Sequence, residues 1–286
     1  MRSRTLWAGI VLLTMLAAGA AQAQQYPLDD AFTLDEQRFF GRFAIDYSLL
    51  SQYRNDKGAI ENSPNDLKYY RVDEHVWVRV GVLDSLEIDA DVGAREQNLR
   101  EQKVTSAGTD YPTETGTAAT DLNAGLKWRI VGNNRGAFSA SGIVKLPYLY
   151  NVHQDLPPGD GQLDATGRLM GAVKVSLFTL GADAGFRYRA NGPADDWVYG
   201  ALAGFEYSIV YGRLQLNGVA SLRNQEKNAK QHDFLAGPDY DLGEGAITLG
   251  IRPTNYLSID FTGTYSAYGR NVANGGVYML GLNLLF

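Results

Sequence analysis

The chain lacks cysteine, has only three histidines, and contains no second long apolar segment. Without cysteine, neither disulfides nor thiolate metal sites can hold the fold together. Beyond its N-terminus, no apolar run approaches the roughly 20 residues that a membrane-spanning helix needs. Its 26 Lys and Arg residues are outnumbered by 32 Asp and Glu residues, so no basic excess favours a nucleic-acid partner.

The N-terminus has the pattern of an export signal. Arg2 and Arg4 form a basic segment, an apolar stretch follows over residues 6–18, and an Ala-x-Ala cleavage pattern comes next. The apolar stretch is too short to span a bilayer as a helix. We therefore expect residues 1–23 to be a cleaved signal peptide and the mature chain to start at Gln24, with an uncleaved membrane anchor as the alternative.

The C-terminal residues 276–286 alternate between bulky apolar and small or polar side chains, and they end on an aromatic residue. Because side chains alternate faces along a strand, Tyr278, Leu280 and Leu282 share one apolar face. This pattern is typical of the closing strand of a bacterial outer-membrane barrel. We expect the barrel-assembly machinery to recognise the chain through Phe286.

Short and long connections alternate between the predicted strands. Twelve strands are predicted, at 38–50, 69–82, 86–96, 118–130, 136–148, 166–177, 179–190, 196–209, 213–224, 240–251, 256–267 and 275–286. Tight links, predicted to be periplasmic turns, lie at 83–85, 131–135, around 178, 210–212 and 252–255. Longer polar links, predicted to be extracellular loops, lie at 51–68, 97–117, 149–165, 191–194, 224–239 and 269–274.

An even strand number places both ends of the strand pattern on the same side, as in bacterial transmembrane barrels. We therefore predict an all-β fold with one domain over residues 38–286, a transmembrane antiparallel up-and-down β-barrel of about twelve strands. A large soluble β-sandwich is the alternative. Residues 24–37 lie outside the pattern and are predicted to be a periplasmic N-terminal segment. They form either a disordered tail or, through Pro27–Gln37, a small plug inside the barrel.

Charged and apolar side chains alternate along the predicted strands. In the segment 118–130, Leu126 and Trp128 fall on one face, and Lys127 and Arg129 fall on the other. The reverse orientation would place charges in hydrocarbon, at about 2–4 kcal/mol each for Arg or Lys near the membrane midplane. We therefore assign the apolar face to lipid and the charged face to the lumen, which is the interior of the barrel.

The lumen is thus predicted to carry charges of both signs. The candidate pore-lining residues are Arg79, Glu87, Asp89, Asp91, Lys127, Arg129, Lys145, Lys174, Asp183, Arg187, Arg189, Glu206 and Arg213. In one interpretation the charges pair with one another and partly fill the barrel. In the other they line an aqueous pathway that selects solutes by charge, with a modest basic excess that favours anions.

Neither an enzyme nor a bound cofactor or metal is predicted. His75 lies on a predicted strand, whereas His153 and His232 lie in or near loops. None of them begins the His-x-Ser-Asn-Gly arrangement that barrel phospholipases show. The acids within residues 155–164 lack the spacing of a calcium-binding hand. No glycine-rich phosphate loop precedes a helix.

Four segments carry a resemblance to a known family: Gly142–Pro147, Gly159–Asp164, Gly185–Arg189 and Pro193–Tyr199, with a looser match over Gly81–Glu87. They resemble the middle of a family of small bacterial outer-membrane proteins named for the phenol meta-cleavage degradation pathway (the MetA-pathway type), often called simply transporters. The resemblance implies an outer-membrane barrel and the uptake of small aromatic or hydrophobic compounds. It implies no catalytic residue.

A loop constriction is a further hypothesis. Asp160, Gln162 and Asp164 lie in a glycine-containing loop, and Arg187 and Arg189 project inward from a neighbouring predicted strand. The basic side chains are expected to pair with the acidic ones and either hold the loop against the barrel wall as a constriction or simply stabilise the strands.

The sequence therefore predicts a porin-like channel in the outer membrane of a Gram-negative bacterium, in contact with outer-membrane lipid and a small-molecule solute, and monomeric. A variant is a lateral gap for hydrophobic solutes near Gly200, Gly204, Gly218 and Gly237–Pro238. Two alternatives remain: a plugged barrel with a structural or assembly role, and a lipid-modifying barrel enzyme.

Overall fold

The computed structural model describes residues 31–55, 57–62, 68–100, 103–105, 108–110, 113–147, 163–190, 195–222 and 236–286. The predicted signal peptide lies outside the described residues. The strands are β1 Phe39–Arg54, β2 Ile60–Asn62, β3 Lys68–Leu83, β4 Leu86–Arg100, β5 Lys103–Thr105, β6 Gly108–Asp110, β7 Thr113–Ala119, β8 Leu122–Asn133, β9 Gly136–Leu146, β10 Asp164–Val175, β11 Phe178–Arg189, β12 Asp196–Tyr207, β13 Val210–Ser221, β14 Ala236–Thr254 and β15 Leu257–Leu285. No helix in these ranges is long and apolar enough to cross a membrane.

The strands close into a barrel. Neighbours in sequence pair antiparallel around the wall, and β15 returns to pair with β1 from Phe40↔Leu285 to Arg54↔Val272. The long β15 supplies two wall segments, because its first part pairs with β14 and its second part with β1. Strands β7 and β8 form one interrupted wall segment, since both pair with β4. The result is a closed antiparallel barrel of 12 strands, which confirms the predicted fold class.

The two faces of the wall differ as predicted. Leu126, Leu180 and Leu280 are each more than half exposed on the outer face. By contrast, Lys127 and Asn283 are buried on the inner face. Aromatic side chains stand at both ends of the outer face, as with the exposed pair Trp197 and Tyr207 near the two ends of β12. An apolar outer band flanked by aromatic residues is the surface that a transmembrane barrel presents to lipid.

Several predicted connections differ from the observed ones. The turns occupy 84–85, 134–135, 176–177, 208–209 and 255–256, all at the barrel end where β1 begins and the chain terminates. The predicted link 210–212 is wrong, because Ser208 adopts a positive φ of 55° and the chain turns there. The predicted loop 269–274 is also wrong, since β15 runs through it and Arg270 Nη2 lies 2.8 Å from the Asp241 carboxylate.

Glycines in the wall make room for aromatic rings. A Cβ on Gly218 would lie 2.3 Å from the ring of Tyr199, which pairs with it across β12 and β13. The ladder between these two described strands is continuous through Gly200 and Gly204. Gly218 therefore serves ring packing, and the pairing of β12 with β13 leaves no lateral gap at Gly200 or Gly204.

Candidate lumenal site

An N-terminal segment, residues 31–37, enters the lumen at the end of the barrel that holds the turns. The Thr33 hydroxyl donates a hydrogen bond of 2.6 Å to the carbonyl of Asp84 in the β3–β4 turn. The Leu34 backbone N–H donates one of 2.9 Å to the carboxylate of Glu87 on β4. Ala31 and Leu34 are 1% and 0% exposed, so this segment is inserted and not draped over the rim.

The same segment reaches the opposite wall. The hydroxyl of Ser139 on β9 donates a hydrogen bond to the carbonyl of Ala31. The Ala31 side chain packs against Ala137 and Met170, which face inward from β9 and β10. The described part of the N-terminus thus lies where the plug alternative places it, while residues before Ala31 lie outside the described residues.

Glu87 links this segment to the barrel wall. One of its carboxylate oxygens accepts the Leu34 N–H, and the other lies 3.2 Å from Lys127 Nζ and 3.8 Å from Arg79 Nη1. Glu87 is 2% exposed and Lys127 6%, so this cluster is buried in the lumen. A buried carboxylate needs such partners, because removing it from water without them is costly. The adjacency of Glu87 and Lys127 follows the predicted strand order.

A second ionic cluster lies further along the lumen. Arg187 Nη2 and Arg189 Nε lie 2.6 Å and 3.1 Å from the Asp196 carboxylate, and Asp196 is fully buried. Asp196 is not among the candidate residues predicted from the sequence, although it is the first residue of the predicted strand 196–209. Among the predicted acids, Asp164 lies 2.8 Å from Lys145, and Asp183 lies 3.1 Å from Arg168.

Asp164 is the first residue of β10 and not part of a loop as predicted. Its neighbours in the register are Lys145 on β9 and Arg189 on β11, so it belongs to the barrel wall. Asp160 and Gln162 lie outside the described residues, and the constriction hypothesis therefore stays a prediction.

The remaining predicted residues all lie on inward positions of the wall. Asp91 accepts a hydrogen bond of 3.1 Å from the Asn123 side chain, and the Asp89 carboxylate lies beside Gly125. Arg129 donates a hydrogen bond of 2.9 Å to the Asp84 carbonyl. Lys174 lies 3.9 Å from Glu206, and Arg213 faces the cavity described below. The structure thus distributes the thirteen residues around the wall instead of gathering them into one site.

Near the other end of the lumen, Asp46, Asp73 and His75 bring three potential ligand atoms within 4.8 Å of one another. Arg95 Nε and Arg71 Nε lie 2.7 Å and 2.9 Å from the Asp73 carboxylate. Two guanidinium groups beside the central carboxylate repel a cation, and Arg95 donates a hydrogen bond to each of its two oxygens. This cluster therefore fits an ion-pair network better than a metal site.

A cavity of about 300 Å³ occupies the side of the lumen opposite β9 and β10. Its wall comes from β1, β3 and β11–β15, and it extends to Asn255 and Leu285 at the end of the barrel that holds the turns. Phe40, Trp77 and Tyr211 give it aromatic surfaces. The N-terminal segment and the cavity thus lie on different sides of the lumen.

Arginines and carboxylates form hydrogen-bonded pairs around this cavity. Arg42 donates two hydrogen bonds, of 3.0 Å and 2.9 Å, to the Asp260 carboxylate. The same carboxylate accepts a hydrogen bond of 3.0 Å from the Tyr211 hydroxyl. Arg252 donates to Glu206 over 2.7 Å. Sequence reasoning missed Tyr211, because it placed residues 210–212 in a turn. A signal was present, since Tyr211, Arg213 and Gln215 alternate with apolar residues.

No family model matches the chain, and no curated protein matches it. Among solved structures, an outer-membrane channel of Pseudomonas putida aligns with a TM-score of 0.70 at 13% identity, covering 92% of this chain and 100% of that one. The translocator domain of the autotransporter NalP from Neisseria meningitidis aligns with a TM-score of 0.48 at 11% identity, covering 98% and 95%. The toluene transporter TbuX of Ralstonia pickettii aligns at 0.45 and 10% identity, covering 94% and 96%.

The first of these likenesses supports the barrel fold. At 13% identity it extends to the fold alone, and the resemblance to the phenol meta-cleavage family stays a prediction.

Proposed function

We propose that this protein is a passive channel in the outer membrane of a Gram-negative bacterium and that a small solute passes through its lumen. The observation that carries the proposal is the cavity of about 300 Å³, which runs along the inside of the wall beside the inserted N-terminal segment. Its volume lies at the lower end of ordinary small-molecule sites, about 300–1,000 Å³. The P. putida protein that shares the fold is described as an outer-membrane channel, which agrees with this proposal.

The solute class we propose is a small aromatic or otherwise partly apolar compound. Support comes from the aromatic rings of Phe40, Trp77 and Tyr211 at the cavity wall and from the resemblance in sequence to the phenol meta-cleavage family. A wider polar pore for general nutrients fits less well, because the N-terminal segment and the ion pairs take up part of the lumen.

Adjacent residues on β12 allow a matched test. Gly204 faces the cavity, and a Cβ there would meet no atom closer than 3.6 Å, so a side chain can start there without a clash and will project into the lumen. Ala203 is exposed on the outer face. Because successive residues of a strand face opposite sides, Gly204→Trp narrows the cavity, while Ala203→Trp adds an aromatic ring to the lipid face.

Entry of arabinose and of ionised benzoate into sealed lipid vesicles should be measured with the wild-type protein and both variants. We expect benzoate to enter with the wild-type protein and with Ala203→Trp, and to enter at least severalfold more slowly with Gly204→Trp. Equal entry with all three proteins and with empty vesicles would contradict a channel function.

A structural barrel is the second candidate. It is favoured by one observation, that the N-terminal segment is anchored to both sides of the lumen through Glu87 and Ser139. If folded wild-type protein passes neither solute, this second function becomes the better account.

A further inference from the structure

We infer that the lumenal cavity binds a small aromatic carboxylate, with the carboxylate held by arginine and the ring lying against aromatic side chains. This inference rests on the proposed function and adds the charge and shape of the solute.

The cavity wall has an excess of positive charge. Four arginines line it, namely Arg42, Arg79, Arg213 and Arg252, together with two carboxylates, Asp260 and Glu206. Glu206 is shared between two cations. Arg252 Nη1 lies 2.7 Å from one of its carboxylate oxygens, and Lys174 Nζ lies 3.9 Å from the other.

Arg79 does not remove this excess. Its carboxylate partner, Glu87, lies 3.8 Å away and also pairs with Lys127 at 3.2 Å. A cavity wall with more fixed cations than anions favours an anionic ligand over a neutral one of the same shape.

Three of the arginines stack over rings at the cavity wall. Arg42 lies 5.8 Å from the centre of the Trp77 ring, and Arg252 lies 5.5 Å from the centre of the Tyr211 ring. Arg79 lies 5.8 Å from the centre of the Phe40 ring. Guanidinium groups and rings thus stand together at the cavity wall, which offers flat surfaces for a ring and planar donors for a carboxylate.

The volume fits one ring with a charged substituent. A cavity of about 150 Å³ is known to accommodate benzene in a protein interior. The observed cavity of about 300 Å³ leaves room for a carboxylate and a few water molecules.

The test uses Trp77 as its reporter. The chain has four tryptophans, of which Trp7 lies in the predicted signal peptide, and Trp128 and Trp197 are exposed on the outer face. In a protein carrying Trp128→Phe and Trp197→Phe, fluorescence of the mature barrel reports on the lumen. Titration with benzoate should change this fluorescence saturably. Benzyl alcohol, which lacks the charge, and cyclohexanecarboxylate, which lacks the aromatic ring, should each bind at least about tenfold more weakly.

Arg213→Gln in the same background should weaken benzoate binding about tenfold, because it removes one charge-assisted partner. Arg213→Lys, which keeps the charge, should weaken it less. Arg135→Gln, an exposed arginine in the β8–β9 turn, is the matched control and should leave affinity unchanged. Shifted mobility of each variant on heating verifies that the barrel has folded.

Equal affinity for benzoate and benzyl alcohol would overturn the inference, as would the absence of saturation with a folded protein. The two proposals fail separately. If solutes enter the vesicles but benzoate binding does not saturate, only the binding-site inference is refuted. If benzoate binding saturates but no solute enters, only the channel proposal is refuted.

Discussion

Glu87 should hold the N-terminal segment inside the barrel and stabilise the whole wall. Replacing it with glutamine keeps an acceptor for the Leu34 N–H at 2.9 Å but removes the charge that lies 3.2 Å from Lys127 Nζ. Removing one partner of a buried ion pair costs about 3–5 kcal/mol. We expect the lower end, about 3 kcal/mol, because neighbouring polar groups in the lumen partly compensate Lys127.

The assay is urea-induced unfolding in detergent, followed by the mobility shift between folded and unfolded barrel. Glu74→Gln is the matched control, since Glu74 lies on β3 but is exposed on the outer face, and it should change stability by no more than about 0.5 kcal/mol. Glu87→Ala also removes the acceptor for Leu34, so limited proteolysis should cut the N-terminal segment faster in this variant than in Glu87→Gln. The reasoning is refuted if both Glu87 variants unfold and are cleaved like the control.

Three further substitutions in the barrel wall should each change the stability of the protein. Gly218→Val should lower stability by about 1–3 kcal/mol in the same unfolding assay, because its Cβ would lie 2.3 Å from the Tyr199 ring; an unchanged midpoint would contradict this packing. Asp196→Asn should lower the free energy of unfolding by about 3–5 kcal/mol, since the fully buried carboxylate pairs with two arginines. A loss below about 1 kcal/mol would show that the carboxylate and the two arginines are solvated. Leu126→Arg should cost about 2–4 kcal/mol in lipid vesicles if its face contacts hydrocarbon, and nothing if it faces water.

The fold could be predicted from sequence because each strand carries its own signal. Alternation such as Leu126, Lys127, Trp128 permits one orientation only, since the other exposes charge to lipid. The terminal Phe286 and the regular spacing of turns then define the strand number. The predicted ends of the strands are less accurate than the strands themselves. The turn at Ser208 is not predicted, because a serine at positive φ has no distinct sequence pattern.

The lumenal site was predicted only in part. Inward charges such as Arg79 and Glu87 follow from alternation, but their partners depend on strand register and on tertiary contacts. Asp196 could not be matched to Arg187 before the register Arg187↔Asp196 was known. The N-terminal segment has no periodic pattern, and its insertion depends on contacts with residues far along the chain.

Passage of ions through the lumen is best measured as single-channel conductance of residues 24–286 in a planar bilayer, with a salt gradient to read ion selectivity. We expect steady openings with a reversal potential towards the anion, a smaller conductance for Gly204→Trp, and an unchanged one for Ala203→Trp. A folded, heat-modifiable barrel that stays electrically silent, or one whose conductance ignores Gly204→Trp, would contradict passage through the lumen.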